Sequence, residues 1–185
     1  MLASAGIDFE SIPADIDEAA LRDRTIAAEG RIDAERIALG LARAKAEQVS
    51  ARHPDALVVG SDQVLDCAGR LHEKPADLAA ARETLLALRG RTHTLVSAVA
   101  LAAGGSVVWT SVDRASMTMR GFTPAFLDAY LSRAGEVVLG SVGAYQLEGL
   151  GVQLFERIEG SHFTILGMPL VPLLAVLRER GIAAA

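Results

Sequence analysis

The sequence predicts an α/β protein with a mixed, twisted sheet and helices packed on it. Short runs rich in Val, Leu and Thr alternate along the chain with segments whose apolar residues recur at helical spacing. Glycines and prolines stand between many of these runs, where turns are expected. Because 51% of the residues are apolar and 22% are charged, the chain is expected to bury a core.

Length, charge and cysteine content narrow the class of protein. A chain of 185 residues fits one domain or two small lobes. The formal charge of −5 argues against nucleic-acid binding through electrostatics alone, although a small phosphorylated ligand needs only a local cluster of Lys or Arg. Cys67 is the single cysteine, so a reducing compartment fits. Without a membrane-spanning apolar run or a signal-peptide pattern, the expected location is the cytoplasm.

The first third of the chain is predicted to hold one helix between two strands. Residues 6–12 alternate apolar and polar side chains, which is typical of a short strand. Residues 19–32 lack convincing periodicity and predict a mobile connection that can include one helical turn. Asp33 suits an N-cap, and the apolar residues after it predict a helix over 33–52. A strand over 56–60 follows directly.

The remaining elements are predicted from turn signals and from the period of the apolar residues. Asp77 and Thr123-Pro124 suit helix starts, and paired glycines at 104–105 suit a hairpin turn. The predicted order is a hairpin turning at 68–69, a helix over 77–89, strands over 92–103 and 106–119, a helix to about 133, strands over 152–158 and 164–168, and a helix over 169–180.

Asp62 stands where the strand over 56–60 is predicted to end. Three apolar residues and Gly60 precede it. Ligands of α/β proteins collect outside the carboxyl ends of the strands, so an acid there can hold a metal ion or take a proton from water. The alternative is an ordinary acid that ends the strand and caps a turn.

Two lysines and two further carboxylates are candidate partners of Asp62. Lys45 follows Leu41 by four residues and therefore lies in or beside the apolar stripe of its helix. Such a lysine can also extend its ammonium group to solvent. Lys74 precedes a proline in a loop, and Glu18 and Glu148 lie in predicted loops, so all three can simply be solvated. Taken together with Asp62, these residues supply carboxylates for a divalent cation and ammonium groups for phosphate oxygens.

Short motifs occur in a fixed order along nearly the whole chain. They lie at residues 5–9 with 16–18, 41–46, 59–64, 73–77, 88–93, 143–151, 155–160 and 166–170. Each motif alone is modest, whereas the ordered set is highly specific. In this set the chain resembles the Maf proteins, which are nucleoside triphosphate pyrophosphatases related in fold to the inosine triphosphate pyrophosphatases.

The resemblance implies a two-lobed fold with a cleft and a metal-dependent hydrolysis of a nucleoside triphosphate to the monophosphate and pyrophosphate. Asp62 is implied as the catalytic acid and, with Glu18, as a ligand of Mg²⁺ or Mn²⁺. The other implied pocket residues neutralise phosphate charge or select the base: Lys45, Lys74, Gln63 and Glu148. The implied physiological role is removal of modified nucleotides, and a homodimer is also compatible with the resemblance.

Gln63 and Glu148 bear on the base. One branch of the family has Thr after the catalytic Asp and Gln at the later position, and acts on dTTP and UTP. Another branch has Gln and Glu at these positions and is associated with 7-methyl-GTP. With Gln63 and Glu148, this chain resembles the second branch. A carboxylate at 148 also suits a guanine edge, whose N1–H and N2 amine are donors.

The start of the chain departs from the family pattern. Family members begin with a strand and a Ser-x-Ser-x-x-Arg loop before the stretch that matches residues 5–7, whereas here Met1 falls about where that loop ends. The expectation is one Maf-like domain over 1–185 that is truncated at the N-terminus relative to the family. Either the start site is misassigned or the chain is a weakly active member.

Two rival functions stay open from the sequence. The first is a non-catalytic nucleotide-binding regulator linked to cell division, which loss of the phosphate loop favours. The second is a phosphomonoesterase, which releases inorganic phosphate where a pyrophosphatase releases pyrophosphate.

Overall fold

The computed structural model describes residues 1–184. Helices and strands alternate along these residues, and 3₁₀ turns are formed at Ala3–Ala5, Gly135–Gly140 and Leu150–Leu154. The regular elements are α1 (Glu18–Glu29), α2 (Ala34–Arg52), β1 (Val58–Cys67), β2 (Arg70–His72), α3 (Leu78–Leu88), β3 (Thr92–Ala103), β4 (Ser106–Met119), α4 (Pro124–Ala134), β5 (Phe155–Glu159), α5 (His162–Ile165) and α6 (Leu170–Glu179).

The strands form one sheet in the order β2-β1-β3-β4-β5. β1 and β2 pair antiparallel with Leu65 opposite His72, and β4 and β5 pair antiparallel with Ser116 opposite Glu159. The sheet is antiparallel, so the α/β class with flanking helices is confirmed while the predicted mixed pairing is wrong. Short hairpin turns account for the pairing of β1 with β2 and of β3 with β4, because strands joined by tight turns run antiparallel.

The chain divides into two compact units. The first contains residues 1–63, 96–113 and the part from Ser161 onward, and the second contains residues 64–95 and 114–160.

In the first unit, helices pack on both faces of β1. Side chains alternate between the faces of a strand, so neighbouring residues point in opposite directions. A Cβ atom at Gly60 would meet Ala42 and Ala46 of α2. Val59 instead packs against the apolar cluster that contains Leu173 of α6. The two helices therefore cover opposite faces of the same strand.

In the second unit, the capped helices α3 and α4 bury apolar residues. The Asp77 carboxylate accepts a hydrogen bond from the Ala80 amide and begins α3, which buries Leu85 and Leu88 completely. The Thr123 hydroxyl caps α4 in the same way, as the sequence predicts. The hairpin turns at residues 68–69, also as predicted.

Residues 6–32 differ from the prediction. Residues 6–12 contain no strand in the described chain, because alternation forms a strand only where a neighbouring strand accepts the backbone hydrogen bonds. Residues 18–29 form α1, a three-turn helix whose N-cap Asp17 accepts a hydrogen bond from Ala20. The cap was the missed signal, and packing of α1 against α2 supplies stability that a weak apolar stripe does not predict.

Two C-terminal predictions also change. The strand predicted over 152–158 begins only at Phe155, after a 3₁₀ turn. The strand predicted over 164–168 is wrong: residues 162–165 form the single helical turn α5, and the Gly167 amide donates to the Thr164 carbonyl. The closing helix α6 ends before Gly181, which has a φ of 69°.

Candidate active site

Asp62 lies within a strand and not at its tip. β1 runs from Val58 to Cys67, so the prediction that the strand ends just before Asp62 is wrong. Pairing with β2 on one side and β3 on the other keeps the strand extended beyond the glycine. The Asp62 side chain is 10% exposed. A carboxylate this buried needs charged or hydrogen-bonding partners.

Lys45 supplies such a partner in the first unit and also contacts Glu18. The Lys45 Nζ atom lies 2.6 Å from Asp62 Oδ1 and 2.8 Å from Glu18 Oε1. Lys45 comes from α2, and Glu18 is the first residue of α1. The Lys45 ammonium group is thus paired between two carboxylates instead of extended into solvent. The structure brings together three of the six residues that the sequence singles out.

Gly60 explains how α2 comes close enough for this contact. A Cβ atom at position 60 would lie 2.3 Å from the Ala42 carbonyl oxygen and 2.7 Å from the Ala46 amide nitrogen. These are backbone atoms of α2, so no side-chain rotation relieves the clash. Since Gly60 and Asp62 point to the same face, the close approach also brings Lys45 over Asp62.

The charge state of Lys45 follows from opposing effects. Burial opposes the charged form and lowers the pKa of Lys45, but hydrogen bonds and charge attraction from Asp62 and Glu18 outweigh burial and leave the pKa above its ordinary value. Lys45 is therefore a fixed cation at neutral pH. The positively charged Lys45 ammonium group, which lies next to the half-exposed Glu18 side chain, suits the binding of phosphate oxygens.

Gln63 points to the opposite face from Asp62. Its Nε2 atom donates to Ser97 Oγ at 2.9 Å and to the Thr164 carbonyl at 2.9 Å. Ser61 points the same way and lies 2.8 Å from the Gly167 carbonyl. These contacts are not among the predictions from the sequence, although a serine inside the apolar run of β3 is a signal for a buried hydrogen bond.

Lys74 and Glu148 belong to the second unit, where both side chains are exposed. Glu148 lies in the glycine-rich loop over residues 143–151. Two of its glycines are required by contacts inside the loop: a Cβ atom at Gly143 would lie 2.2 Å from the Tyr145 ring, and one at Gly151 would lie 2.4 Å from the Gln146 carbonyl. The loop holding Glu148 is thus folded back on itself.

A buried histidine in the second unit was also missed. His93 is 1% exposed, and its Nε2 atom lies 2.8 Å from the Tyr145 hydroxyl. Its Nδ1 atom has no hydrogen-bond partner among residues 1–184. Burial lowers the pKa of His93 to about 4, with a smaller effect from His72, and burial raises the pKa of Tyr145. The sequence signal is a histidine near the start of an otherwise apolar strand.

The carboxylates suit a hard divalent cation. Mg²⁺ is bound through one or two carboxylates together with substrate phosphates, and oxygen is its preferred ligand atom. Asp62 and Glu18 supply two carboxylates that contact one common nitrogen atom. Within residues 1–184, no group of three or more His, Cys, Asp and Glu side chains forms a metal cluster. The donor set fits a cation shared with a phosphorylated substrate.

These features define an α/β protein with a carboxylate–lysine site on a central strand. The Maf-like protein family matches residues 1–180. The chain belongs to the Maf family, and the resemblance seen in its motifs is confirmed.

Named relatives are similar over nearly the full chain. A nucleoside triphosphate pyrophosphatase of Granulibacter bethesdensis is 52% identical over 97% of this chain and 90% of its own length. A 7-methyl-GTP pyrophosphatase of Mesorhizobium japonicum is 51% identical over 98% of this chain and 90% of its own length. A nucleoside triphosphate pyrophosphatase of Paramagnetospirillum magneticum is 54% identical over 98% of this chain and 92% of its own length.

Among residues 1–184, no helix is both long enough and apolar enough to span a membrane.

Proposed function

We propose that this chain hydrolyses a nucleoside triphosphate to the monophosphate and pyrophosphate, with Asp62 as the catalytic carboxylate. The chain is a nucleoside triphosphate pyrophosphatase by its family and by relatives about half identical over their aligned length. The observation that carries the assignment of the site is the contact of Lys45 Nζ with both Asp62 and Glu18.

Asp62 is the proposed base. Its carboxylate takes a proton from the attacking water, whose oxygen forms a bond to the α-phosphorus. The bond between the α-phosphorus and the oxygen that bridges to the β-phosphorus breaks, and pyrophosphate leaves with the electron pair. The burial of Asp62 and its position on a paired strand support this role, because a base must be held firmly within reach of the water.

Lys45 is proposed to bind phosphate oxygens. Its ammonium group carries a fixed charge and stabilises the negative charge that develops on the phosphates. Lys74 is proposed to do the same. Mg²⁺ or Mn²⁺ is the proposed cofactor, held by Asp62 and Glu18; when bound, such an ion supplies further stabilisation of phosphate charge.

Glu148 is proposed to recognise the base. The name 7-methyl-GTP pyrophosphatase belongs to relatives about 51% identical to this chain, and we extend that substrate to the chain as a proposal. A carboxylate accepts hydrogen bonds from the N1–H and N2 amine of guanine, whereas it is repelled by the carbonyl oxygens of uracil. The exposed position of Glu148 leaves it accessible to a nucleotide.

The test compares the wild type with Asp62→Asn in an assay of pyrophosphate release with Mg²⁺. We expect Asp62→Asn to lower kcat by about 10²- to 10⁴-fold, the usual contribution of a general base. The matched control is Asp55→Asn, which removes an exposed carboxylate before β1 and leaves kcat unchanged.

Three results would contradict the proposal. Release of inorganic phosphate in place of pyrophosphate indicates a phosphomonoesterase. Nucleotide binding without turnover indicates the regulator. Full activity of Asp62→Asn shows that Asp62 is not the catalytic base.

A further inference from the structure

The glycine-rich loop over residues 143–151 is held at its start by Tyr145. The Tyr145 side chain is 5% exposed, and its hydroxyl lies 2.8 Å from His93 Nε2 of β3. Its ring packs edge-on against Phe155 of β5, with 4.8 Å between the ring centroids. The same ring occupies the space where a side chain at Gly143 would lie. Tyr145 therefore fixes the loop to β3 and β5 within the second unit.

The backbone of Ala144 shows that the surroundings enforce this start of the loop. Ala144 has a φ of 57°, in the left-handed region that residues with a Cβ atom rarely adopt. It is fully buried, and its carbonyl accepts a hydrogen bond from the Tyr130 hydroxyl of α4 at 3.3 Å. Such a conformation persists only where neighbouring contacts determine it, and it is concentrated at functional sites. The contacts of Tyr130 and Tyr145 supply that constraint.

Glu148 follows the fixed start by a short path. The loop passes from the buried residues 143–145 to the exposed Glu148 within three residues. The Gly149 amide donates to the Gln146 carbonyl at 3.3 Å, which closes a turn directly after Tyr145. Because three residues span at most about 10 Å, the position of Tyr145 limits where the Glu148 carboxylate lies.

Packing alone does not explain why a histidine and a tyrosine occupy positions 93 and 145. A phenylalanine at each position would fill nearly the same space and bury no polar atom. His93 and Tyr145 instead form one directional hydrogen bond, and His93 Nδ1 lacks a partner within residues 1–184. Since an unpaired buried atom lowers stability, the hydrogen bond serves the placement of the loop more than the stability of the core.

We infer that His93 and Tyr145 are positioning residues for recognition of the base: their hydrogen bond holds the loop that sets where the Glu148 carboxylate lies. The inference rests on the proposed function, since it takes over the role proposed there for Glu148 and adds the residues that place it. His93 and Tyr145 are buried and act through Glu148, without contact to the nucleotide. Loss of their hydrogen bond should therefore weaken binding of the preferred base and leave the chemical step unchanged.

The experiment uses Tyr145→Phe, which keeps the ring and removes the hydroxyl. We measure kcat and KM for 7-methyl-GTP and UTP, and define the preference as the ratio of their kcat/KM values. KM for 7-methyl-GTP should rise by about three- to tenfold, the effect of one neutral hydrogen bond. Both kcat values and KM for UTP should stay within about twofold of the wild type, because a lost binding contact raises KM without lowering kcat.

A double-mutant cycle with Glu148→Ala tests whether Tyr145 acts through Glu148. Glu148→Ala alone should lower the preference by about 10- to 100-fold, since hydrogen bonds to a charged group are lost. Adding Tyr145→Phe to Glu148→Ala should change the preference by less than about twofold, because no carboxylate is left to position. If Tyr145→Phe lowers the preference equally with and without Glu148, the inference is overturned.

Two other variants separate positioning from general loss of stability. His93→Phe removes the same hydrogen bond from its other side and should lower the preference to the same extent as Tyr145→Phe. Thr123→Ala is the matched control, because it removes the cap of α4 in the same unit and also costs about one hydrogen bond. Its preference should equal that of the wild type. An unchanged preference in His93→Phe, or a fall in Thr123→Ala as large as in Tyr145→Phe, contradicts the inference.

Two measurements need no turnover. The ratio of Kd values for 7-methyl-GTP and UTP should change in the same variants as the preference. If the wild type binds nucleotide and releases no pyrophosphate, the proposed function fails, and this ratio still decides the roles of His93 and Tyr145. Amide hydrogen exchange of residues 146–151 should be faster in Tyr145→Phe than in Thr123→Ala, and equal exchange in the two variants also overturns the inference.

Discussion

Two groups of polar residues differ in how their hydrogen bonds are satisfied: the anchor cluster of the first unit, which consists of Gln63, Ser97, Asp113 and Thr164, and the buried His93–Tyr145 pair of the second unit. In the anchor cluster, Gln63, Ser97 and Thr164 all donate at 2.5–2.9 Å to oxygen acceptors. In the pair, His93 Nδ1 lacks a partner within the described residues 1–184. A satisfied cluster fixes geometry, whereas an unsatisfied one makes folding sensitive to protonation.

The largest expected difference between the anchor cluster and the His93–Tyr145 pair is the loss of stability that the pair causes at acid pH. His93 has a pKa of about 4 in the folded chain and about 6.5 when unfolded, so below pH 6.5 only the unfolded chain takes up the proton. The free energy of unfolding should therefore fall by up to about 3 kcal/mol as the pH drops from 6.5 to 4 and then level off. Urea titrations at each pH, followed by circular dichroism, measure this.

His93→Phe tests the source of that pH dependence. The variant should lose most of the slope between pH 6.5 and 4, because it removes the buried group whose pKa is lower in the folded chain than in the unfolded chain. The control His53→Gln changes an exposed histidine after α2 and should keep the wild-type slope. If the free energy of unfolding depends on pH with the same slope in His93→Phe and in the wild type, His93 is not the source of the pH dependence.

The second-largest loss of stability is expected when the hydrogen bond between Thr164 and the Asp113 carboxylate of the anchor cluster is removed. Thr164→Val keeps the shape of the side chain and removes the hydroxyl that donates to Asp113. Hydrogen bonds to charged groups contribute about 1.5–3 kcal/mol, so we expect the free energy of unfolding to fall by about 2 kcal/mol at pH 7.

The control for that variant is Thr110→Val on the exposed part of β4, which should change stability by less than about 0.5 kcal/mol. A loss no larger than the control's would mean that the anchor cluster contributes little to stability.

The smallest effect concerns Tyr145. Tyr145→Phe removes the hydroxyl 2.8 Å from His93 and should lower the free energy of unfolding by about 1 kcal/mol at pH 7. Tyr130→Phe provides the comparison, because its hydroxyl donates over a longer distance of 3.3 Å to the Ala144 carbonyl. If Tyr130→Phe is the more damaging of the two, the hydrogen bond between Tyr145 and His93 contributes less to stability than the longer one from Tyr130.

Local signals predicted much of the fold. Asp33, Asp77 and Thr123 each begin a helix as expected, since a capping side chain acts within its own turn. The strand over 92–103 and the strand over 106–119 are also confirmed. The sequence signals that predict these helices and strands lie within the elements themselves or in the residues directly next to them.

Elements that depend on distant contacts were not predictable in the same way. α1 forms because it packs on α2, and the extension of β1 through Asp62 depends on pairing with β2 and β3. No pattern within residues 19–32 or 61–67 contains that information. Alternation over residues 6–12 likewise predicted a strand that has no partner in the described chain.

The same distinction between local signals and distant contacts applies to the residues of the candidate site. The spacing of Lys45 in its helix and of Asp62 after Gly60 allowed both to be singled out, and the structure joins them. The face to which Gln63 points is set by the register of β1, which a motif does not reveal. The roles of Lys74 and Glu148 stay predictions.

The backbone contact of Gly60 with Ala42 and Ala46 has a consequence for how this chain tolerates mutation. In a library of random variants, the role proposed for Asp62 predicts that this position is intolerant mainly when survivors are chosen for turnover. Gly60 would be intolerant even when they are chosen for expression alone, because any larger residue separates α2 from β1. On the proposed function, two positions of one motif are thus kept by independent pressures, one on chemistry and one on the closeness of two backbones.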